Sequence, residues 1–286
     1  MPESNQKTSA ASILARLRNH ARATGYPAEQ MLLLHLSERF LARLAVSLWQ
    51  DHLILKGGLN LYSRYRELAR PTKDIDLAAL RLPDTPDEIG NVIRAIALLE
   101  LDDGVTFDGT NLTTELILED AKYNGVRVWL VGGLRDSKAR STLQFDISFG
   151  NAITPAPAIL HFPNALGLVD TKVWGYPLET VMAEKLAAMI ELGATTTRLK
   201  DFYDLYQIVQ HGELDLSILH NALQQTFSRR GTTLEGCVEI LERLVQESRL
   251  QTDWGKFLEN NDLNAPLTLS VVMMPVLKVL IKALED

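Results

Sequence analysis

Residues 52–80, HLILKGGLNLYSRYRELARPTKDIDLAAL, constrain the fold more than any other stretch of this chain. Three apolar residues, Leu53, Ile54 and Leu55, stop at Gly57-Gly58; a basic segment follows, and then Thr72-Lys73-Asp74-Ile75-Asp76-Leu77. Side chains alternate along an extended strand, so Asp74 and Asp76 share one face while Ile75 and Leu77 point into a core. Two neighbouring carboxylates repel each other. A strand that places them so needs a cation between them, or water around both. Hard divalent cations take oxygen ligands, and Mg²⁺ is commonly held by one or two carboxylates together with substrate phosphates. A Gly-Gly turn lets backbone N–H groups approach an anion closely, and the helix expected after it adds the positive end of its dipole. Each part alone has an ordinary reading, a plain turn or a solvated strand face. Together, in this order, they describe a site that handles nucleotides.

Composition sets outer limits. At 286 residues, 46% hydrophobic and 23% charged, the chain has the make-up of a globular protein with one large domain or two modest ones. A net charge of −7 argues against broad, charge-driven coating of nucleic acid, while leaving room for a local basic rim. The single cysteine, Cys237, excludes an internal disulfide framework, suits a reducing compartment and is expected as a buried apolar filler. MPESNQKTSA lacks the apolar core of a signal peptide. The apolar run LTLSVVMMPVLKVLIKALED is interrupted by Pro275, Lys278 and Lys282 and is too short to span a bilayer. A cytoplasmic protein without a membrane partner is expected.

Ahead of the central stretch, residues 9–24 and 28–48 carry helical spacing, the first with a basic face, and Gly25-Tyr26-Pro27 separates them. Both helices are expected to pack beside the sheet that begins at His52. Residues 59–68 should be helical and carry Arg64 and Arg66; Arg70 and Lys73 follow, close to the acidic pair, where a triphosphate or an RNA backbone would need them. Residues 87–101 form an amphipathic helix. From Val105 the texture is β: residues 104–107, 112–118 and 126–131 are short segments rich in β-branched and aromatic residues, with Gly109, Asn124-Gly125 and Gly132-Gly133 as turns. In STLQFDISF, Phe145, Ile147 and Phe149 share one face and leave Asp146 on the polar one. Residues 155–163 form a proline-interrupted connector, and the chain reads helical beyond it. The expected domains are 1–160 and 161–286.

Two later helices carry charges on apolar stripes. In residues 177–192, PLETVMAEKLAAMIEL, Leu178, Val181, Met182, Met189 and Leu192 form the stripe, Lys185 falls in its middle, and Glu179, Glu184 and Glu191 lie off it. Lysine is rarely buried without a partner, although a packed stem with its amine in water is the usual alternative. In RLKDFYDLYQIV, Asp201 falls between the stripe residues Leu205 and Ile208, Asp204 sits at its edge, and Lys200 points away. A buried aspartate needs a partner, and Lys185 is the economical one, in a site or as a purely structural pair. Residues 214–286 read as a helical bundle with Trp254 and Phe257 in its core.

These strings resemble the polymerase β superfamily of nucleotidyltransferases and, more narrowly, the AbiEii/AbiGii toxin family. The motifs are K-G-G, then R-P-T-K-D-I-D-L, then E-T-V-M-A-E-K-L and R-L-K-D-F-Y-D-L-Y, from Lys56 to Tyr206. The resemblance implies an α+β fold of the polymerase β nucleotidyltransferase type, a small mixed sheet with flanking helices, followed by a C-terminal helical domain. It implies catalytic Asp74, Lys185 and Asp201, and nucleotide contacts from Gly57, Gly58, Thr72, Lys73 and Lys185. It implies Mg²⁺ or Mn²⁺ on Asp74 and Asp76, with Asp146 as a third carboxylate. The substrates it implies are an NTP and an RNA acceptor, with tRNA the expected case, and the role is that of a toxin held in check by a separate antitoxin protein. Members often carry a hydroxyl residue after the glycines; here that position is Leu59, which leaves phosphate contact there to the backbone. Two other readings fit the residues: a modifier of small molecules such as aminoglycosides, and a non-catalytic nucleotide-binding scaffold.

Overall fold

A computed structural model of the chain describes residues 9–119, 123–164, 166 and 171–285. The chain divides into two compact units. One comprises Met1–Arg64, Thr72–Gly150 and Ile159–Gly175, and the other Tyr65–Pro71, Asn151–Ala158 and Tyr176–Asp286.

The first unit opens with helices α1 (Ala10–Thr24) and α2 (Ala28–Ala45). Ser9 caps α1 by accepting the Ser12 N–H, and Gly25 ends it in the left-handed conformation. Strand β1 (Leu53–Leu55), helix α3 (Gly57–Tyr65) and strand β2 (Asp74–Ala79) follow. Next come α4 (Pro86–Ala97), β3 (Val105–Glu119), β4 (Tyr123–Leu134), β5 (Arg140–Phe149), β6 (Ala158–Phe162) and β7 (Thr171–Gly175). The seven strands form one mixed sheet in the order β3-β4-β5-β2-β1-β7-β6, which puts β2 in the middle. It runs antiparallel to β1 and parallel to β5. Helix α2 packs on β5 and β7, and α4 on β3 and β4. Between these layers the Phe40 ring packs 4.4 Å from the Phe145 ring at a tilt of 56°, and Ile75, Leu77 and Ile147 lie buried with them. Leu59 is also buried in this core.

Three expectations change at the sheet. The short β segments are two long antiparallel strands, and both Asn124-Gly125 and Gly132-Gly133 lie inside β4 rather than at turns. Gly132 is there for space: a Cβ on it would sit 2.8 Å from the Phe107 ring. Gly109 falls where the β3–β4 register shifts, a bulge rather than a turn. The stretch beyond Pro155 is not wholly connector and helix, since β6 and β7 complete one side of the sheet. Helices α2 and α4 also end earlier than their apolar spacing suggests, at Ala45 and Ala97.

The second unit holds α5 (Leu178–Leu192), α6 (Leu199–His211), α7 (Leu216–Arg230), α8 (Cys237–Leu244), α9 (Ser248–Asn261) and α10 (Leu269–Glu285). Its core includes Met182, Phe202, Leu205, Leu223, Phe227 and Met273, and Trp254 is fully buried with its indole N–H donating to Pro266 O at 3.0 Å. Cys237 is buried there, and burial pushes its thiol up. No helix among the described residues is long and apolar enough to cross a membrane.

One polar cluster is enclosed in the first unit. The Arg43 guanidinium donates to Asp103 at 2.7 and 3.2 Å and to the carbonyls of Arg39, Leu99 and Val105. Breaking a buried pair from one side strands the other charge, at about 3–5 kcal/mol. Asp103→Ala is therefore expected to lower the unfolding free energy by about 3 kcal/mol in denaturant titration, whereas Asp253→Ala, in an exposed pair with Arg249, should change it by less than about 1 kcal/mol.

Candidate active site

The first constellation is built by the three-residue strand β1 and its neighbour β2. Leu55 lies opposite Leu77, and the Lys56 N–H donates to Asp76 O at 2.9 Å. The chain then turns directly into α3 through Gly57, whose φ is +65°. A Cβ on Gly57 would overlap the Asp76 carboxyl group, so glycine is required both by the backbone conformation and by the space. A Cβ on Gly58 would lie 2.7 Å from the Thr72 hydroxyl oxygen, which places Thr72 against the glycine turn. Asn60 donates to Leu55 O at 3.0 Å and accepts from Arg64 at 3.2 Å, holding the first turns of α3 against β1.

On β2 the alternation is as the residues dictate: Ile75 and Leu77 are buried, Asp74 and Asp76 half-buried on the other face. Lys73, just ahead, is exposed. Two carboxylates on one strand face, beside N–H groups at a helix start, suit a hard cation shared with phosphate oxygens. The residues therefore fit a divalent ion held by Asp74 and Asp76. Among the described residues, no three His, Cys, Asp or Glu side chains come together as a metal-holding group.

Asp146 lies beside this pair, directly opposite Asp76 in the β2–β5 register. Its carboxylate is already engaged. Arg127, opposite it on β4, donates from Nε at 2.7 Å and from Nη2 at 2.8 Å, and Gln144 adds an amide at 3.2 Å. The Asp146 hydrogen bond, against the opposing effect of partial burial, raises Arg127 above the usual arginine range, with Asp74 and Glu115 adding to it. Sequence reasoning missed Arg127, because V-R-V-W-L looks like any half-exposed strand.

The second constellation lies wholly in the helical unit. Lys185 Nζ donates to Asp201 Oδ1 and to Asp204 Oδ2, each at 2.7 Å. Arg198 donates to the other Asp201 oxygen at 2.8 Å, and Arg70 donates to both Asp204 oxygens at 3.1 and 3.2 Å. Asp201 and Asp204 are almost completely buried. The expected Lys185–Asp201 pair is present, but it is the centre of a five-residue chain of charges. Arg70, expected on a substrate face, is one of its members. Asp204 is visible in the sequence only as a stripe-edge residue, and nothing in the sequence links Arg70 to it. Helix α5 is buried nearly all round: Glu179, placed off the stripe by periodicity, is enclosed and accepts the Asp215 N–H at 3.2 Å.

The electrostatics of this chain follow from its partners. Desolvation alone would raise Asp201, but Lys185 and Arg198 outweigh it and bring its pKa from 3.8 down to about 2. Desolvation likewise works against the Lys185 ammonium, and Asp201 and Asp204 overcome it, so the amine is raised and stays charged at neutral pH. A carboxylate so low is a poor proton acceptor. Lys185 and Asp201 form a fixed electrostatic device.

A depressed carboxylate stabilises the fold above its ordinary value and loses that contribution as pH falls through its folded value. The stability gap between the native chain and Asp201→Asn is expected to hold from pH 6 to about 4. It should then narrow by about 2 kcal/mol as pH falls from 3.8 toward 2, read from urea titrations at each pH. Gly57→Ala is expected to cost about 1–3 kcal/mol from backbone strain, plus displacement of Asp76, seen as a lower melting temperature.

Among the solved structures that resemble the chain are two from Helicobacter pylori. "Crystal structure of putative nucleotidyltransferase from H. pylori" aligns with TM-score 0.52 at 17% identity, over 87% of this chain and 93% of that one. "Crystal structure of JHP933 from Helicobacter pylori" aligns with TM-score 0.53 at 18% identity, over 89% and 93%. At such identities the likeness is one of fold. No curated protein matches. Residues 39–275 match the family described as "Nucleotidyl transferase AbiEii toxin, Type IV TA system". That span runs from within α2 to within α10 and includes both constellations, and the chain belongs to the AbiEii family of nucleotidyltransferase toxins.

Proposed function

We propose that the chain transfers a nucleotide from an NTP to the 3′ end of an RNA, with tRNA as the acceptor, and that a separate antitoxin opposes it. The observation that carries the transfer chemistry is the pairing of the half-buried Asp74 and Asp76 with the glycine turn whose missing side chain makes room for the Asp76 carboxyl. The antitoxin rests on the family's type IV toxin–antitoxin description, and the RNA acceptor on the motif resemblance and the basic residues near the acidic pair.

In this reading the N–H groups of Gly57 and Gly58, with Thr72 and Lys73 nearby in sequence, hold the triphosphate. Asp74 and Asp76 hold Mg²⁺ or Mn²⁺, which when bound would polarise the phosphoryl oxygens and stabilise the attacking and leaving ones. The acceptor hydroxyl oxygen forms a bond to the α-phosphorus, the bond to the β-phosphate oxygen breaks, and pyrophosphate leaves. The hydroxyl proton goes to a half-exposed carboxylate of β2 or to water. Asp201 is unsuited to take it, because both its oxygens are occupied and its pKa is about 2. Asp201 and Asp204 are positioning residues for Lys185, whose permanent charge offsets negative charge on the nucleotide. With Arg70 committed to Asp204, the basic run that favours RNA over a small-molecule acceptor is reduced to Arg64, Arg66 and Lys73.

The test is a transfer assay with total RNA, each α-labelled NTP in turn, and Mg²⁺ or Mn²⁺. Asp74→Ala and Lys185→Ala run in parallel. Lys185→Ala leaves two buried aspartates without their shared partner, so Lys185→Arg is included to keep the charge. Label in the tRNA band that falls at least about a hundredfold in Asp74→Ala and Lys185→Ala is expected. Label that persists in both variants would overturn the site, and the absence of labelled RNA with every NTP would turn the reading toward small-molecule acceptors.

A further inference from the structure

We infer that Asp146 serves Arg127 rather than a metal ion, and that Arg127, so held, is a phosphate-binding residue of the nucleotidyl-transfer site. The inference deepens the function proposed above and rests on it. Its basis is a row of side chains running straight across four strands. Asp76 on β2 is opposite Asp146 on β5, Asp146 is opposite Arg127 on β4, and Arg127 is opposite Glu115 on β3. Residues opposite one another share a sheet face, and adjacent strands lie about 4.8 Å apart, so Arg127 stands about 10 Å along the sheet from the Asp76 backbone.

A metal ligand needs a lone pair free to point at the ion. Asp146 accepts one guanidinium N–H on each oxygen, in the parallel two-bond geometry that is the strongest an arginine and a carboxylate make, and it takes the Gln144 amide as well. With about four lone-pair sites and four hydrogen bonds accepted, Asp146 would have to give up at least one of these bonds to coordinate an ion. Asp146 is thereby committed to holding the arginine in place.

The same geometry leaves Arg127 with work to do. Its Nε and one Nη2 hydrogen are spent on Asp146, while both Nη1 hydrogens and the second on Nη2 remain on its outer edge. The side chain is 30% exposed, so that edge reaches solvent. A planar donor fork, fixed from behind by a carboxylate and beside a metal-binding pair, is suited to phosphate oxygens. Those oxygens come either from the NTP or from the RNA backbone. The pair itself is the anchor: without Asp146 the guanidinium regains its rotamer freedom, and less of its affinity survives.

The experiment uses the full chain and four variants: Asp76→Asn, Asp146→Asn, Arg127→Gln and the Asp146→Asn/Arg127→Gln double. Mn²⁺ binding is followed by the loss of the free-ion electron paramagnetic resonance signal. Binding of a fluorescent NTP and of an RNA oligonucleotide is measured separately, each in folded protein checked by melting. Asp76→Asn is expected to weaken Mn²⁺ about tenfold or more, with the other three variants within about twofold of native. Arg127→Gln should weaken the NTP or the RNA about tenfold, and the arm affected names the source of the phosphate. Asp146→Asn should lose part of the same affinity, and the double variant should be no weaker than Arg127→Gln, as expected of residues acting as one unit. A loss of Mn²⁺ in Asp146→Asn equal to that in Asp76→Asn overturns the inference, and so does an Arg127→Gln variant that binds both phosphate ligands like the native chain. If Asp76→Asn leaves Mn²⁺ unchanged, it is the metal reading of β2 that fails. The role of Arg127 is then decided by the phosphate arms alone.

Discussion

The alternation along β2 is the constraint on which the first unit depends. β2 is the middle strand of the seven, buried on one face by Ile75 and Leu77 and paired on both edges. A one-residue slip would drive two carboxylates into a core that contains Phe40 and Phe145 and expose two aliphatic side chains in their place. The cost of burying those charges fixes the register. It also fixes which face carries Asp74 and Asp76. The glycine turn then follows from geometry: the strand β1 that pairs with β2 must leave the sheet where the Asp76 carboxyl lies, and only a residue without a Cβ can do so at φ +65°.

The helical unit solves the opposite problem, how to keep charges inside. Lys185, Asp201 and Asp204 lie among apolar side chains, and none would stay ionised alone. Linked in the order Arg198, Asp201, Lys185, Asp204, Arg70, each carboxylate has two cationic donors and the amine has two acceptors. Such networks contribute little to net stability compared with an apolar filling of the same volume, and removing one member is costly because the others are left behind. What the arrangement supplies is position. Helix α6 presents Asp201 and Asp204 three residues apart, so both reach the same amine.

Local chemistry was legible in the sequence; pairing between distant strands was not. The β2 alternation, the helix that starts at the glycines, the burial of Trp254 and Cys237, and the Lys185–Asp201 contact all follow from spacing within one or two elements. The long β3–β4 hairpin was broken into pieces because Gly132 and Gly125 look like turn residues. Their reason for being there is a neighbour across the sheet, Phe107 or Ile117, that no local window contains. Arg127 and Asp146 are nineteen residues apart, and Arg70 and Asp204 are separated by 134. Neither contact leaves a periodic trace. Strands β6 and β7 are short, and the first of them follows a proline-rich stretch, so length and punctuation both pointed away from a sheet. Glu179 lies off the apolar stripe and is buried all the same, because periodicity finds only the most apolar side of a helix and α5 is buried on almost every side.

The two constellations hold their charges in different ways. The row Asp76, Asp146, Arg127 and Glu115 sets three carboxylates beside one guanidinium, and Asp74 adds another carboxylate on the same sheet face. The helical network interleaves three cations with two carboxylates, each carboxylate between two cationic donors. Within the network, proton traffic is suppressed from both ends, since the amine is raised and Asp201 is held near 2. A lysine whose charge is fixed so firmly cannot act as a base, and an aspartate with both oxygens taken cannot accept a proton readily. In the proposed transfer, Lys185 therefore acts through its field, and the proton of the attacking hydroxyl goes to a half-exposed carboxylate of β2 or to water.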